Sequence, residues 1–163
     1  MPEVPPQGIE FAESAPVVAE GSAVAPGSPE EVWSVLVDTP RWSAWFPGVS
    51  SSRATSDPST GIGATREVVL RGGGRVQERF IAWDEGRLWA FTAVEITPRT
   101  FRRLVERATL TEEGRGRTRV DYRMAFEPAP ALRPAAPVLR RVLGRSLTKG
   151  MRGLADEVAA RRS

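Results

Sequence analysis

The sequence predicts an α+β fold in which a curved antiparallel sheet of about seven strands wraps round a long C-terminal helix. Three features of the 163-residue chain predict it. Strand-like segments follow one another from Gly48 to Glu127, a long amphipathic pattern comes after them, and two short helical segments follow the first strand. Because the sheet and the long helix each carry one apolar face, packing them together buries both faces.

The first strand and the short helices have local signals of their own. Small and β-branched residues over 17–24 suit a strand. Ser28 is a helix N-cap, Pro29 occupies the first helical position, and Glu31 completes a capping box. This helix is expected to end near Val37, and RWSAWFPG after it indicates a short, aromatic-rich helical turn.

The predicted sheet continues through six segments that glycine, aspartate and proline signals separate. The last segment is the clearest, because Val120, Tyr122 and Met124 alternate with polar residues and so give one apolar face. The strands are expected near 48–55, 64–71, 75–83, 87–95, 101–111 and 117–126.

A long helix is predicted from about Val138 to Ala160 after a proline-rich break. Its apolar residues recur at steps of three and four, and its basic residues fall largely on other faces. The apolar stripe comprises Leu139, Val142, Leu143, Leu147, Met151, Leu154 and Val158; the basic residues are Arg140, Arg141, Arg145, Lys149 and Arg152.

The domain organisation is simple. Residues 1–15 combine three prolines with three acidic residues and few apolar ones, which predicts a flexible N-terminal extension. Residues 16–163 form a single domain of ordinary globular composition, with 40% hydrophobic and 26% charged residues over the whole chain.

The composition excludes several kinds of chemistry. The chain has no cysteine and no histidine, which removes thiol nucleophiles, Ser-His-Asp triads and zinc sites built on those residues. No metal site and no cofactor is predicted. No apolar run is long enough to span a membrane, and acidic residues stand where a signal peptide has basic ones, so we expect a cytoplasmic protein.

Charge is distributed unevenly along the chain. The first 40 residues hold seven acidic residues and no basic one, whereas the remainder holds 23 basic and 13 acidic residues. All the basic residues except Lys149 are arginines, whose charge does not titrate.

Several segments together resemble a known family. SPEEVWSVLVDTPRWSAWFPGV resembles the opening signature of the START-like SRPBCC superfamily, in its polyketide cyclase/dehydrase-type branch. GIGATREV, VQERFIAWDEGRLWAF, FRRLVERATL and GRGRTRVDYRMAFEP resemble the later strands in the same order, over about residues 16–160. The resemblance implies a helix-grip fold with a hydrophobic cavity between the sheet and the C-terminal helix. Members include polyketide cyclases, aromatases and lipid or quinone carriers.

Glu106 is the candidate catalytic residue. If Leu104 and Ala108 face inward, strand alternation places the Glu106 carboxyl group inside as well, where it could act as a general base or acid. The alternative is a structural ion pair or a solvated strand edge. Its candidate partners are Arg66, Glu78, Arg79 and Arg103.

The other candidate ligand contacts are mostly apolar, and core packing is the alternative for each. The Tyr122 hydroxyl could bind a ligand carbonyl. Trp45 and Phe46 are placed at the cavity mouth, whereas Trp33 and Trp42 are assigned to packing of the first helices. The predicted ligand contacts also include Phe91, Met124, Leu143, Leu147 and Met151.

The sequence therefore favours a protein that binds a hydrophobic small molecule: a polyketide, a lipid or an isoprenoid. One alternative is a cyclase/dehydratase-type enzyme that uses a cavity carboxylate without metal or histidine. A further alternative is a lipid carrier whose basic C-terminal helix docks on an anionic membrane surface. Nucleic acid is disfavoured as a partner because no aromatic residues accompany the arginines, and nothing indicates an oligomeric state.

Overall fold

The computed structural model describes residues 3–162 and contains one antiparallel sheet and a long C-terminal helix. The strands are β1 Val17–Ala25, β2 Val49–Ala54, β3 Thr65–Leu70, β4 Arg75–Asp84, β5 Leu88–Thr97, β6 Phe101–Glu112 and β7 Thr118–Pro128. The α-helices are α1 Phe11–Ser14, α2 Pro29–Leu36, α3 Trp42–Trp45 and α4 Ala136–Arg162, and 3-10 turns occupy Thr39–Arg41 and Pro130–Ala135.

The sheet confirms the predicted architecture. Its seven strands lie in the order β1-β7-β6-β5-β4-β3-β2, and every neighbouring pair is antiparallel. The register sets Arg66 opposite Glu78 and Glu106 between Phe91 and Met124. Side chains from five adjacent strands, β3 to β7, thereby meet on the inner face.

Helix α2 forms for the reasons that its sequence indicates. The Ser28 hydroxyl accepts a hydrogen bond from the backbone N–H of Glu31 at 3.2 Å, and Pro29 occupies the first turn. Val32 and Leu36, one turn apart, are fully buried against the core. The N-cap prediction is confirmed. In the next helix, α3, Trp42 and Trp45 are also buried.

Helix α4 differs from the prediction in one part of its apolar stripe. Leu147, Met151, Leu154 and Val158 are buried as expected. Val142 is 55% exposed, because it lies on the face of the helix directed away from the sheet. The predicted stripe is therefore wrong at this residue.

Two glycines allow the helix to lie close to its neighbours. A Cβ atom on Gly21 of β1 would lie 2.5 Å from the Thr148 backbone nitrogen of α4. A Cβ atom on Gly153 of α4 would overlap the carbonyl oxygen of Trp45. Both contacts need a residue without a side chain.

The described part of the N-terminal segment, 3–15, contacts the sheet in two places: Glu3 and Val4 pair with β5, and α1 packs on the outer face of β6 and β7. The Val4 N–H donates to the Val94 carbonyl oxygen at 3.0 Å, and Phe11 and Ala12 of α1 are buried against outward-facing apolar side chains of β6 and β7. The segment that the sequence predicts to be an extension therefore has contacts with the sheet, because those apolar strand positions give Phe11 and Ala12 a surface to cover. Met1 and Pro2 lie outside the described residues.

No helix within 3–162 combines the length and the apolar character that crossing a membrane requires.

Candidate functional site

A cavity of about 380 Å³ lies between the inner face of the sheet and the N-terminal half of α4. This volume is within the range of about 300–1,000 Å³ that is typical of small-molecule sites. Most of its lining is apolar. Of the residues that the sequence predicts as ligand contacts, those on its wall are Phe46, Glu78, Phe91, Glu106, Tyr122, Met124, Leu143 and Leu147.

Four predicted contacts lie elsewhere. Arg79 is exposed, because strand alternation turns it outward when Glu78 points inward. Trp45 is buried behind the wall, where its backbone meets Gly153, and Met151 lies in the core one turn beyond Leu147. Arg66 is 2% exposed and sits behind the wall.

Sequence reasoning missed several residues of the wall. Trp42, which the sequence assigns to helix packing, contributes to the cavity. Val68 on β3 and Val76 on β4 also line it. Side chains two residues apart on a strand lie on the same face, so Val76 shares the face of Glu78 and Val68 shares the face of Arg66. This periodicity is the sequence signal that could have identified both valines.

Arg66, which lies behind the cavity wall, forms a buried ion pair with Glu78, which is part of the wall. The Arg66 Nε donates to Glu78 Oε2 at 2.5 Å, and their side chains are 2% and 6% exposed. The guanidinium carbon lies 4.1 Å from the centre of the Trp42 ring, and the rings of Phe80 and Phe91 lie at 5.2 Å. These aromatic faces offset part of the desolvation of the charge. Among the described residues, Arg66 Nη2 has no hydrogen-bond partner.

Glu106 and Tyr122 form a second polar pair on the cavity wall. The Tyr122 hydroxyl donates to Glu106 Oε1 at 2.5 Å. Burial, reinforced by the negative charge of Glu78, raises the pKa of Glu106 to about 8. Burial also raises the pKa of Tyr122 above its usual 10.0, so the phenol remains a hydrogen-bond donor.

The two carboxyl groups differ in whether a cation is in direct contact with them. Burial raises the pKa of Glu78 and the charge of Arg66 opposes that effect, so direct contact with Arg66 compensates one carboxylate. Glu106 has no such partner, because Arg103 pairs instead with Glu127 at 3.2 Å. A cavity-facing carboxyl group with a pKa near neutrality can act as a general acid or base.

No group of three or more acidic side chains within the described range 3–162 is arranged to hold a metal ion.

An open groove of about 770 Å³ runs between β1 and the outer side of α4. Its five cationic residues make no ion pair with any described residue; they are Arg140, Arg141, Arg145, Lys149 and Arg152. Val138 and Val142 on the same helix are 65% and 55% exposed. The outer side of this helix is therefore basic with apolar residues among the charges.

Comparison with known proteins places this fold and cavity in a family. Residues 16–159 match the model of the polyketide cyclase/dehydrase and lipid transport family. The chain therefore belongs to this family, and the predicted membership of a polyketide cyclase/dehydrase-type family is confirmed. An uncharacterised protein of Mycobacterium tuberculosis is 30% identical over 154 residues, which cover 94% of this chain and 92% of that protein.

Solved structures share the helix-grip fold. An aromatase/cyclase from Streptomyces has a TM-score of 0.77 at 17% identity, covering 90% of this chain and 95% of that one. A START superfamily protein from Mycobacterium smegmatis has a TM-score of 0.76 at 12% identity, covering 88% of this chain and 97% of that one. In each of these two comparisons the similarity covers nearly the whole length of this chain and of the other protein.

Proposed function

We propose that this protein, which its sequence predicts to be cytoplasmic, binds a polyketide, a lipid or an isoprenoid in the cavity between its sheet and α4. The observation that carries the proposal is the cavity itself: about 380 Å³, mostly apolar, with Glu78, Glu106 and Tyr122 grouped on its wall. Apolar burial supplies affinity in such sites, and the few polar groups orient the ligand.

The first test identifies what the protein carries. Native mass spectrometry of freshly purified protein, followed by denaturing extraction, is expected to release a hydrophobic small molecule. The uncharged fluorescent probe N-phenyl-1-naphthylamine is expected to bind the emptied protein. Absence of both a bound molecule and probe binding would overturn the proposal.

A matched pair of variants places the binding in the cavity. Leu143 lines the cavity from α4, whereas the adjacent Val142 is exposed. Leu143→Trp should fill the cavity and weaken probe binding at least tenfold, and Val142→Trp should bind the probe as the wild type does. Equal affinity in both variants would place the probe outside the cavity.

A second candidate function is proton-transfer catalysis, as in aldol cyclisation and dehydration of a poly-ketone. It is favoured by the position of Glu106 on the wall and by the rise of its pKa to about 8. The carboxylate would remove a proton from the carbon between two carbonyl groups, and the enolate would form a carbon–carbon bond with a second carbonyl carbon. Protonated Glu106 would then return the proton to the alkoxide that this bond formation leaves, which gives a hydroxyl group. In dehydration the carboxylate would remove the second proton from the same carbon, and protonated Glu106 would give it to the hydroxyl group, which leaves as water when its C–O bond breaks and the carbon–carbon double bond forms.

Glu106→Gln separates this candidate from binding alone. The amide cannot transfer the proton, so turnover of a linear poly-ketone should be lost while its dissociation constant changes little. Glu112→Gln, an exposed carboxylate on the same strand, is the control and should keep full turnover. Undiminished turnover in Glu106→Gln would exclude Glu106 as the catalytic group.

A third candidate function is lipid transfer with docking of α4 on an anionic membrane surface. It is favoured by the unpaired cations Arg141, Arg145, Lys149 and Arg152, which share one side of the helix with the exposed Val138 and Val142. This side is next to the cavity that Leu139 and Leu143 line. Such a side attracts anionic headgroups and places apolar residues among them.

A further inference from the structure

The polar part of the cavity wall is made of acceptor-rich groups. Glu78 and Glu106 present two carboxyl groups, and Tyr122 presents a phenol that already donates to Glu106. The only cation near them, within the described residues, is Arg66, which is 2% exposed and covered by the Trp42 ring at 4.1 Å. A ligand in the cavity therefore meets the carboxyl groups and not the guanidinium.

The charge of the cluster is already balanced. Arg66 is in contact with Glu78, so no positive charge remains to compensate an acidic ligand at Glu106. An ionised carboxylate placed there would lose its water without gaining a cationic partner and would lie near the negative charge of Glu78, which is unfavourable in a site of low dielectric constant. A hydroxyl group can donate to either carboxyl group and also accept from Glu106 when it is protonated.

Among the residues that line the cavity, the only cation is Arg71. Arg71 is exposed at the mouth, and its Nε donates to the carbonyl oxygen of Pro47 at 2.7 Å. An acid that entered with its chain first would leave its carboxylate near Arg71, but its chain would then cover the carboxyl groups of Glu78 and Glu106 without giving them a hydrogen bond. Burying polar groups in this way is costly.

We infer that the cavity selects hydrophobic ligands whose inner polar group is an uncharged hydroxyl and discriminates against ligands that end in a carboxylate. This inference rests on the proposed function, since it names the chemical class of ligand for the same cavity. It separates alcohols, phenols and enols from free fatty acids of the same chain length.

The test compares 1-decanol with decanoate as competitors of bound N-phenyl-1-naphthylamine at pH 7. We expect 1-decanol to displace the probe at a concentration at least tenfold lower than decanoate. Equal potency, or stronger displacement by decanoate, would overturn the inference while leaving the proposed function intact. Failure of both the probe and 1-decanol to bind would overturn the proposed function and the inference together.

Glu106→Gln tests whether this carboxyl group causes the discrimination. The titratable and charged groups that face Glu106 are Tyr122, Glu78 and Arg66, and burial raises the pKa of Tyr122, so its phenol remains protonated. In the wild type the preference for 1-decanol should widen from pH 7 to pH 9 as Glu106 ionises. In Glu106→Gln the preference for 1-decanol over decanoate at pH 9 should be several-fold smaller than in the wild type. In Glu112→Gln this preference should equal that of the wild type. A preference that is unchanged in Glu106→Gln would contradict the inference.

Glu78→Gln gives a second and stronger contrast. This change leaves Arg66 without its anionic partner, so the cavity gains an uncompensated positive charge and decanoate should become the better competitor. Arg79→Ala changes an exposed arginine next to Glu78 on the outer face of the same strand; it is the control and should leave the preference for 1-decanol as in the wild type. A further variant, Arg71→Ala, tests whether acids bind with their carboxylate at the mouth. Loss of decanoate binding in this variant would show that they do, which would overturn the inference.

Discussion

Glu106 links the stability of the fold to pH. Its pKa rises from the usual 4.5 to about 8 in the folded protein, so the folded state keeps a proton that the unfolded state has lost between those values. The stabilising contribution is complete below pH 4.5 and is lost as pH rises to about 8, with a slope of at most about 1.4 kcal/mol per pH unit.

The measurement is urea unfolding of the wild type, Glu106→Gln and Glu112→Gln between pH 5 and pH 9. The wild type and Glu112→Gln should lose stability across this range, and Glu106→Gln should have a shallower profile. Parallel profiles for the wild type and Glu106→Gln would show that Glu106 ionises in the folded protein as readily as in the unfolded one.

Arg66 is required to keep Glu78 inside the sheet. Arg66→Met removes the partner at 2.5 Å and leaves a buried carboxylate, which should lower the free energy of unfolding by about 3–5 kcal/mol. Arg79→Met, an exposed arginine on the strand next to Glu78, should change it by less than about 0.5 kcal/mol. Denaturant unfolding at pH 7 compares the two; similar losses in both variants would mean that the buried pair adds no stability.

The sequence predicts part of this cluster and not the rest. Glu106 and Tyr122 are placed inward correctly because apolar neighbours at steps of two identify their face. The pairing of Arg66 with Glu78, and the outward direction of Arg79, depend on the register between β3 and β4. Turns of uncertain length separate these strands in the sequence, and a shift by one residue reverses every side chain.

At the scale of helices and strands, two glycines of α4 have opposite roles. Gly153 lies against the Trp45 carbonyl, whereas a Cβ atom on Gly144 would meet only the Glu20 carbonyl oxygen, at 3.5 Å. Gly144→Ala should stabilise the protein by about 0.5–1 kcal/mol through the higher helix propensity of alanine. Gly153→Ala should destabilise it by about 1–3 kcal/mol, because α3 must move away from α4.

Thermal unfolding of both variants, with denaturant titration to give free energies, measures this contrast. A Gly153→Ala protein as stable as Gly144→Ala would mean that α3 and α4 are not held at the close distance described above. Such a result would also remove the reason for Trp45 to lie behind the cavity wall.

Strand and helix positions follow closely from the sequence, since periodicity, caps and turn residues are local signals. The position of the N-terminal segment on the sheet does not follow from the sequence, because the few apolar residues of this segment show no helical or strand periodicity. Its position depends on Val105 and Ala125, which alternation turns to the outer face of β6 and β7 and which Phe11 and Ala12 cover. Only the folded sheet brings these four side chains together.

At the scale of the whole molecule, folding pairs the acidic start of the chain with its basic remainder. Glu13 contacts both Arg107 and Arg123, at 2.7 and 3.0 Å. Asp38 and Glu31 contact Arg161 and Arg162 at the end of α4, at 2.9 and 3.3 Å. The excess positive charge is thereby left on the earlier part of α4, beside the cavity.

This distribution predicts salt-dependent binding to anionic membranes. The protein should sediment with vesicles of phosphatidylglycerol and phosphatidylcholine at low salt and be released at about 0.5 M salt, because exposed charges are screened over a few ångströms there. It should not sediment with vesicles of phosphatidylcholine alone. Retention on anionic vesicles at high salt would exclude an electrostatic docking surface.

Charge reversal identifies the surface responsible. Each arginine near an anionic membrane contributes about 1 kcal/mol, so the pair Arg141→Glu and Arg145→Glu should weaken vesicle binding more than about tenfold. The pair Arg115→Glu and Arg117→Glu makes the same change in net charge at exposed residues between β6 and β7. If vesicle binding depends on net charge alone, both double variants should lose vesicle binding equally. If α4 docks on the membrane beside the cavity, only the variant with Arg141→Glu and Arg145→Glu should lose it.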